Sequence, residues 1–198
     1  MGIIHPTGEL EAHLRTQGLS FIAGVDEAGA GALAGPVVAA AVMLPEGHNL
    51  AVRDSKTLSE RQRDRLFDEI HVVALGIGIG MVHVEDIDRI GIRPANLLAM
   101  KKAVEVLDRV DHVLSDAREI DVTFPQTALV RGDQKEFCIA AASIIAKVTR
   151  DRFMVQAHEM FPQYDFQKHK GYGTKAHRVA VHEHGRCALH RESFTIAV

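Results

Sequence analysis

Acidic residues stand at the ends of several apolar, β-rich stretches: Asp26-Glu27 after residues 20–25, Asp116 after 112–114, and Asp133 after 127–130. Strand ends of an α/β sheet can converge in space although far apart in sequence. Carboxylates gathered within a few ångströms repel one another and are costly to ionise together. A hard divalent cation removes that cost, and its preferred ligands are oxygens. Two such ions suit in-line phosphodiester displacement, one activating water and the other stabilising the leaving oxygen. Acids after strands also serve as turn residues and helix caps, and Asp133, just ahead of a helical stretch, is well placed to cap it.

The elements that must position these acids follow from periodicity. Residues 20–25 read as a short strand ending at a Gly/Ala-rich turn over 28–35, and 36–44 as a buried strand. Ser59 is a helix N-cap ahead of an amphipathic helix over 60–70. Residues 71–84 alternate glycine with Ile and Met, which predicts a third strand needing close backbone contact. Helices are predicted over 94–110 and 136–153, the second with a small-residue face (Ala140, Ala141, Ala142, Ser143, Ala146) that lets it sit close to a sheet. Two shorter helices, joined by the Gly-Tyr-Gly turn at 171–173, form the tail. Three leading strands followed by alternating helices and strands give an α/β class with a mixed sheet. Neighbouring residues on a regular strand face opposite ways. Asp26 and Glu27 therefore reach one site only if the backbone turns between Gly24 and Gly29, or if Glu27 acts through its carbonyl or a water.

Net charge argues at first sight against a nucleic-acid partner, and its distribution along the chain softens that objection. The 198 residues carry a net charge of −3, yet from Lys147 to Val198 nine basic residues face five acidic ones. Such asymmetry can hold a phosphate backbone at one end and metal ions at the other. Two cysteines, Cys138 and Cys187, do not make a disulfide framework. No apolar run approaches a membrane span, and the first twenty residues lack a signal-peptide core, so the cytoplasm is the expected address. His182, His184, Cys187 and His190 match no standard zinc spacing and are expected as surface groups. The glycines at 76, 78 and 80 lack the strand-then-helix context of a dinucleotide fingerprint.

Several motifs, in order, resemble the ribonuclease HII family from about residue 20 to 195. They are Gly24-Val25-Asp26-Glu27-Ala28-Gly29 with Gly31 and Leu33-Ala34-Gly35-Pro36-Val37-Val38, then Asp54-Ser55-Lys56-Thr57-Leu58-Ser59, and Asp116 after a short strand. Gly132-Asp133 and the helix segment Ala141-Ala142-Ser143-Ile144-Ile145-Ala146-Lys147-Val148-Thr149-Arg150-Asp151 follow. Phe161-Pro162-Gln163-Tyr164, His169-Lys170-Gly171-Tyr172-Gly173-Thr174 and His190-Arg191-Glu192-Ser193-Phe194 complete the set.

The resemblance implies a ribonuclease H-like fold in one domain over 1–198, with a C-terminal helical part from about 155 that helps hold the duplex. It implies a monomer that cuts the RNA strand of RNA–DNA hybrids, and single ribonucleotides in duplex DNA, supported by Mn²⁺ or Mg²⁺. Asp26, Glu27, Asp116 and Asp133 would be the catalytic acids, the first three holding metal. Gly29, Ala30, Gly31, Lys56, Ser143, Lys170 and Tyr172 would contact substrate, with Tyr172 under the sugar at the RNA–DNA junction, where the 2′-OH is read. Ser143, mid-helix, is also placed to satisfy a backbone carbonyl. Lys147 and Lys168 are candidates for further phosphate contacts, and Asp151 is expected to pair with a neighbouring arginine.

One departure stands out: Gly29-Ala30-Gly31 replaces the family's Gly-Arg-Gly, and Ala32 stands where proline is common. Ala30 leaves backbone groups available and removes a charge-assisted contact. The alternative reading is a hybrid-duplex binder with lost or impaired catalysis, which the intact acids oppose.

Overall fold

The computed structural model describes residues 5–196; the ends of the expected domain, 1–4 and 197–198, lie outside the described residues. Five strands form one mixed sheet in the order β3-β2-β1-β4-β5. They are β1 (Ile22–Ala28), β2 (Val37–Met43), β3 (Gly76–Val82), β4 (His112–Asp116) and β5 (Gln126–Leu129). β1 pairs antiparallel with β2 and parallel with β4, so the sheet changes sense at its central strand.

Side-chain alternation sorts β1 and β2 between two helical layers. Ala23, Val25, Ala39 and Ala41 pack under α4 (Ile92–Glu105), while Ala28, Ala40 and Val42 face α5 (Phe137–Met160) and α2 (Glu60–Val73). Small residues set the spacing. A Cβ on Gly24 would lie 2.2 Å from the Cys138 carbonyl carbon of α5, and one on Gly78 or Gly80 would lie 2.0 Å from an α4 carbonyl oxygen. The alternating glycines of β3 are thus the close-contact strand expected. α5 starts at the Ala-rich segment and runs seven residues past the predicted end, because Met154 and Ala157 continue its buried face.

Other boundaries differ from expectation as well, and the helix predicted over 94–110 runs from Ile92 to Glu105. The stretch 71–84 is not all strand: α2 continues through Val73, closed by a Ser59–Gln62 capping box at its start, and Val84 opens α3 (Val84–Ile90). The glycine alternation is confined to the seven residues of β3, which misplaces the flanks. An N-terminal helix α1 (Glu9–Thr16) packs Leu14 and Leu10 against Ile22, Leu114 and Ile139 and is pinned by polar contacts as well. The Glu136 carboxylate accepts from the amides of Leu10 and Glu11, and Glu11 accepts from the amide of Cys138 at 2.9 Å. The tail holds α6 (Phe166–His169) and α7 (Lys175–His184), with the Gly171–Gly173 turn between them as predicted. Among the described residues no helix is long and apolar enough to cross a membrane.

Candidate active site

The carboxylates come from the carboxyl ends of β1 and β4 and from the turn after β5. β1 keeps regular pairing through Glu27↔Ala39 and Ala28↔Val38, so no turn separates Asp26 from Glu27. The expected bend falls one residue after the strand, at Gly29, whose φ is +95°. Alternation is therefore retained: Asp26 is buried and Glu27 half-buried, yet both line one cavity of about 420 Å³. Ala28, Gly29, Ala30, Gly31, Ser55, Lys56, Ser143, Lys147 and Tyr172 complete its wall. Asp116 ends β4, and the chain turns at Ala117, a left-handed alanine with φ of 60°. Arg131, ahead of Gly132-Asp133, is left-handed too. Such strain in non-glycine residues persists where the surrounding structure over-determines it.

The acids perturb one another. Burial, then the charges of Glu27 and Asp116 and, more weakly, Asp133, hold the Asp26 carboxyl well above the usual carboxylate range. Burial and Asp116 raise Glu27. Asp133 is pushed up to about 6 by burial and by Asp54 and Asp116. Burial opposes the charge of Lys56, but Asp26, Asp54, Asp133 and Asp116 outweigh it and raise the ammonium. Asp54, from the DSK stretch, is the acid that residue types alone did not single out; its place within that motif was the available signal.

Three of the carboxylates accept from local donors. Asp26 accepts from the Glu27 amide at 2.7 Å, Asp116 from the Gly132 amide at 2.7 Å, and Glu27 from Asn96 Nδ2 at 3.2 Å. Among the described residues no three His, Cys, Asp or Glu side chains are gathered closely enough to form a finished metal cage. The donor chemistry still fits a hard divalent cation. Every group is an oxygen donor, the carboxyls repel one another, and buried Asn96 Oδ1 beside Glu27 has no hydrogen-bond partner. Asn96, on α4, carried no sequence signal beyond its helix.

The glycine loop is held from beneath by two buried arginines. Arg191 donates from Nη1 to the Ala30 carbonyl at 2.9 Å, from Nη2 to Gly29 and Gly35 at 2.8 Å each, and from Nε to Gly35 at 3.1 Å. Arg150 donates to the carbonyls of Pro36, Ala34 and Lys170 at 2.9–3.0 Å. Burial and the neighbouring Arg150 push Arg191 down to about 9. A Cβ on Gly29 would lie 2.0 Å from Arg150 Nε, so the loop tolerates only glycine there. The Tyr172 ring lies over this floor, its centroid 5.1 Å from both Lys147 Nζ and the Arg150 guanidinium carbon.

The other expected residues distribute as follows. Ser143 lines the cavity but donates to the Ala140 carbonyl at 2.9 Å. Lys170 lies in an adjoining cavity with Glu60, Arg63, Asp151 and Lys168, which shares Lys147 and Tyr172 with the acid site. Lys168 is exposed and paired to Asp165 at 2.7 Å. Asp151 pairs with Lys147 at 2.8 Å, not with an arginine, because position 147 is one helical turn away. His190 is not a surface group, nor is His177; both are buried, whereas His182 and His184 are exposed.

Comparison with known proteins agrees with this geometry. The family model for ribonuclease HII matches residues 23–197. A ribonuclease HII of Caldicellulosiruptor saccharolyticus is 49% identical over 98% of this chain and 96% of its own. One of Bacillus cereus is 50% identical over 93% of this chain and 72% of its own. Among solved structures, the ribonuclease HII from Archaeoglobus fulgidus, in complex with PCNA, has a TM-score of 0.78 at 25% identity, over 90% of this chain and 96% of that one. The ribonuclease H2 of Pyrococcus horikoshii shares the fold, with a TM-score of 0.75 at 23% identity, over 87% of this chain and 93% of that one. Matched by the family model over residues 23–197 and by a relative 49% identical along nearly its whole length, this chain belongs to the ribonuclease HII family of ribonuclease H hydrolases.

Proposed function

We propose that the chain is an endonuclease that hydrolyses the RNA strand of RNA–DNA hybrids and cuts at single ribonucleotides in duplex DNA. The observation that carries this reading is that Asp116 raises Asp26, Glu27 and Asp133 together, beside the cavity that Asp26 and Glu27 line. Asp26, Glu27 and Asp116 would hold Mn²⁺ or Mg²⁺, and Asp133 would complete the catalytic set. Bound divalent ions supply an activated water and stabilise the leaving oxygen in a two-metal displacement.

The chain's own residues supply the rest. Lys56, drawn in by four carboxylates, balances charge at the cavity and faces a backbone phosphate. The Gly29–Gly31 loop offers backbone groups to the ribose, its carbonyls already engaged from below by Arg191. Ala30 therefore removes a side-chain cation without removing what shapes the loop. Tyr172 presents an aromatic face at the same cavity, suited to the sugar at the junction. Ser143, Lys147 and Lys170 extend the contact surface, and the helices from about 155 onward form the flank of the duplex site. The same reading describes a cytoplasmic, monomeric, single-domain enzyme.

The test is cleavage of a labelled DNA duplex carrying one ribonucleotide, with Mg²⁺, Mn²⁺ or chelator. One nick at the ribonucleotide, lost in chelator, is expected. Tight binding without a nick in either metal would overturn the reading in favour of a non-catalytic binder.

A further inference from the structure

Three buried imidazoles lie behind the turn that carries Tyr172. His169, His177 and His190 are 9%, 0% and 2% exposed, and the rings of His169 and His177 stack with centroids 4.3 Å apart. Their partners fix where each proton sits. His177 Nδ1 lies 3.0 Å from the Tyr172 carbonyl oxygen, which can only accept, so this nitrogen carries the proton. The Cys187 amide donates to His190 Nδ1 at 2.9 Å, so that nitrogen is bare. The two Nε2 atoms are 3.0 Å apart. With both rings neutral, a single arrangement remains: His190 Nε2–H donates to His177 Nε2. His169 is fixed separately, donating from Nε2 to the Tyr164 carbonyl at 2.7 Å and accepting the Gly171 amide at Nδ1.

We propose that His177 and His190 are positioning residues for Tyr172. A chain of neutral imidazoles in opposite tautomers runs from the Cys187 amide to the Tyr172 carbonyl and sets the height of the Tyr172 ring in the cavity. The proposal rests on the reading of Tyr172 as the ribonucleotide contact.

The turn is also tied to the glycine loop by an antiparallel bridge between Ala32 and Tyr172, and the Tyr172 amide donates to the His169 carbonyl at 2.9 Å. Gly171 is left-handed, and a Cβ there would lie 2.4 Å from the Ala34 carbonyl oxygen, so no side chain can anchor it. Its own carbonyl accepts from the amides of Leu33 and Ala34, joining the turn to the chain that leaves the glycine loop. Among the described residues the Tyr172 carbonyl receives the Thr174 amide besides His177. Burial pushes His177 and His190 each down to about 4, consistent with neutral rings. The charged groups facing the cluster are Arg186 toward His190, and Asp165 and Lys170 toward His169.

Two substitutions at one position separate the two ends of the chain. In His177→Asn the amide nitrogen takes the place of Nδ1 and keeps donating to the Tyr172 carbonyl. In His177→Gln the amide reaches His190 and gives Tyr172 nothing. The readout is kcat/KM on duplex DNA with one ribonucleotide, divided by kcat/KM on a uniform RNA–DNA hybrid, with Tyr172→Ala setting the full scale. We expect His177→Asn to keep the wild-type ratio and His177→Gln to lower it about tenfold, equivalent to roughly 1.4 kcal/mol. If Tyr172→Ala lowers the ratio while the Asn and Gln variants behave alike, the positioning role is overturned and Tyr172 stands. If Tyr172→Ala leaves the ratio unchanged, the reading of Tyr172 fails and the positioning role with it. Nitrogen NMR of the wild-type protein at pH 7 tests the chain without any variant. His177 should be protonated at Nδ1 and His190 at Nε2; the reverse pair, or a charged ring, would overturn it.

Discussion

Two walls of the same cavity are built on opposite electrostatic terms. At the strand ends, carboxyls from β1, β4 and the turn after β5 converge, and the charge of Asp116 raises Asp26, Glu27 and Asp133. Behind the glycine loop and Tyr172, buried arginines and imidazoles are matched donor for acceptor. Arg150 and Arg191 spend their guanidinium protons on loop carbonyls, and the ring nitrogens of His169, His177 and His190 all have partners. On the proposed reading, the first wall is the one that a divalent cation completes. The second is complete in itself and holds shape. Active sites commonly divide this way, because a group that must act cannot also be fully satisfied.

Removing one charge from the acidic wall should have the largest effect. Asp116→Asn is expected to cut turnover on the order of 10²–10³-fold, the scale for losing one group preorganised toward transition-state charge. Duplex affinity should stay close to wild type, and Tm should hold or rise, since a repulsion has been removed. Wild-type turnover in a metal-supplemented single-turnover assay would take Asp116 out of the catalytic set. In the matched wall the same class of change should cost stability instead. Arg191→Lys keeps the charge but cannot reach the carbonyls of Gly29, Ala30 and Gly35 together. A loss of about 2–4 kcal/mol in urea unfolding is expected, from several charge-assisted hydrogen bonds to buried carbonyls. A loss under about 1 kcal/mol would mean that the glycine loop holds its own shape.

The sequence exposed the two walls unequally. Strand ends, the Ala-rich helix and the alternating glycines were legible because they are local patterns with a fixed period, and they put Asp26, Glu27, Asp116 and Asp133 near one another. The matched wall was not legible in that way. Arg191 reaches Gly29 across 162 positions, and His177 meets His190 across a turn, so neither pairing has a spacing to recognise. Histidines near a C-terminus looked like surface groups by type alone, although His177 is fully buried. The bend expected inside Asp26-Glu27 was misplaced for a related reason. Where β1 ends depends on β2 beside it, and that pairing carries the strand on to Ala28.

Lowering the pH should separate the walls by sign. His177 and His190 have folded-state values near 4 against 6.5 for a free imidazole, so the unfolded chain binds more protons within that window. Their contribution to stability is complete above pH 6.5 and is lost as pH falls toward 4. Asp133 works the other way. Its value of about 6 against 3.8 means that the folded chain takes up protons first, so acid relieves its strain. In chelator, Tm of an Asp133→Asn variant should therefore fall more steeply than wild type between pH 7 and 5. A His177→Asn variant should fall less steeply. Parallel curves for all three proteins would break the contrast.

The smallest effect belongs to Ala30, where the two walls meet. Its carbonyl is committed to Arg191, while its side chain is half-buried at the rim of the cavity beside exposed Gly31. Ala30 is outside the left-handed positions of the chain, so a longer side chain meets no backbone strain. Ala30→Arg should leave Tm within about 1 °C of wild type, because the longer side chain can extend from the rim into the cavity without backbone strain. It should lower KM for the ribonucleotide duplex a few-fold at low salt, because one added phosphate contact steepens the salt dependence of binding by about one unit. The gain should shrink as salt rises, and kcat should change little. An increase in kcat that persists at high salt would mean that position 30 acts on the reacting centre itself, and the glycine loop would then belong with the acidic wall.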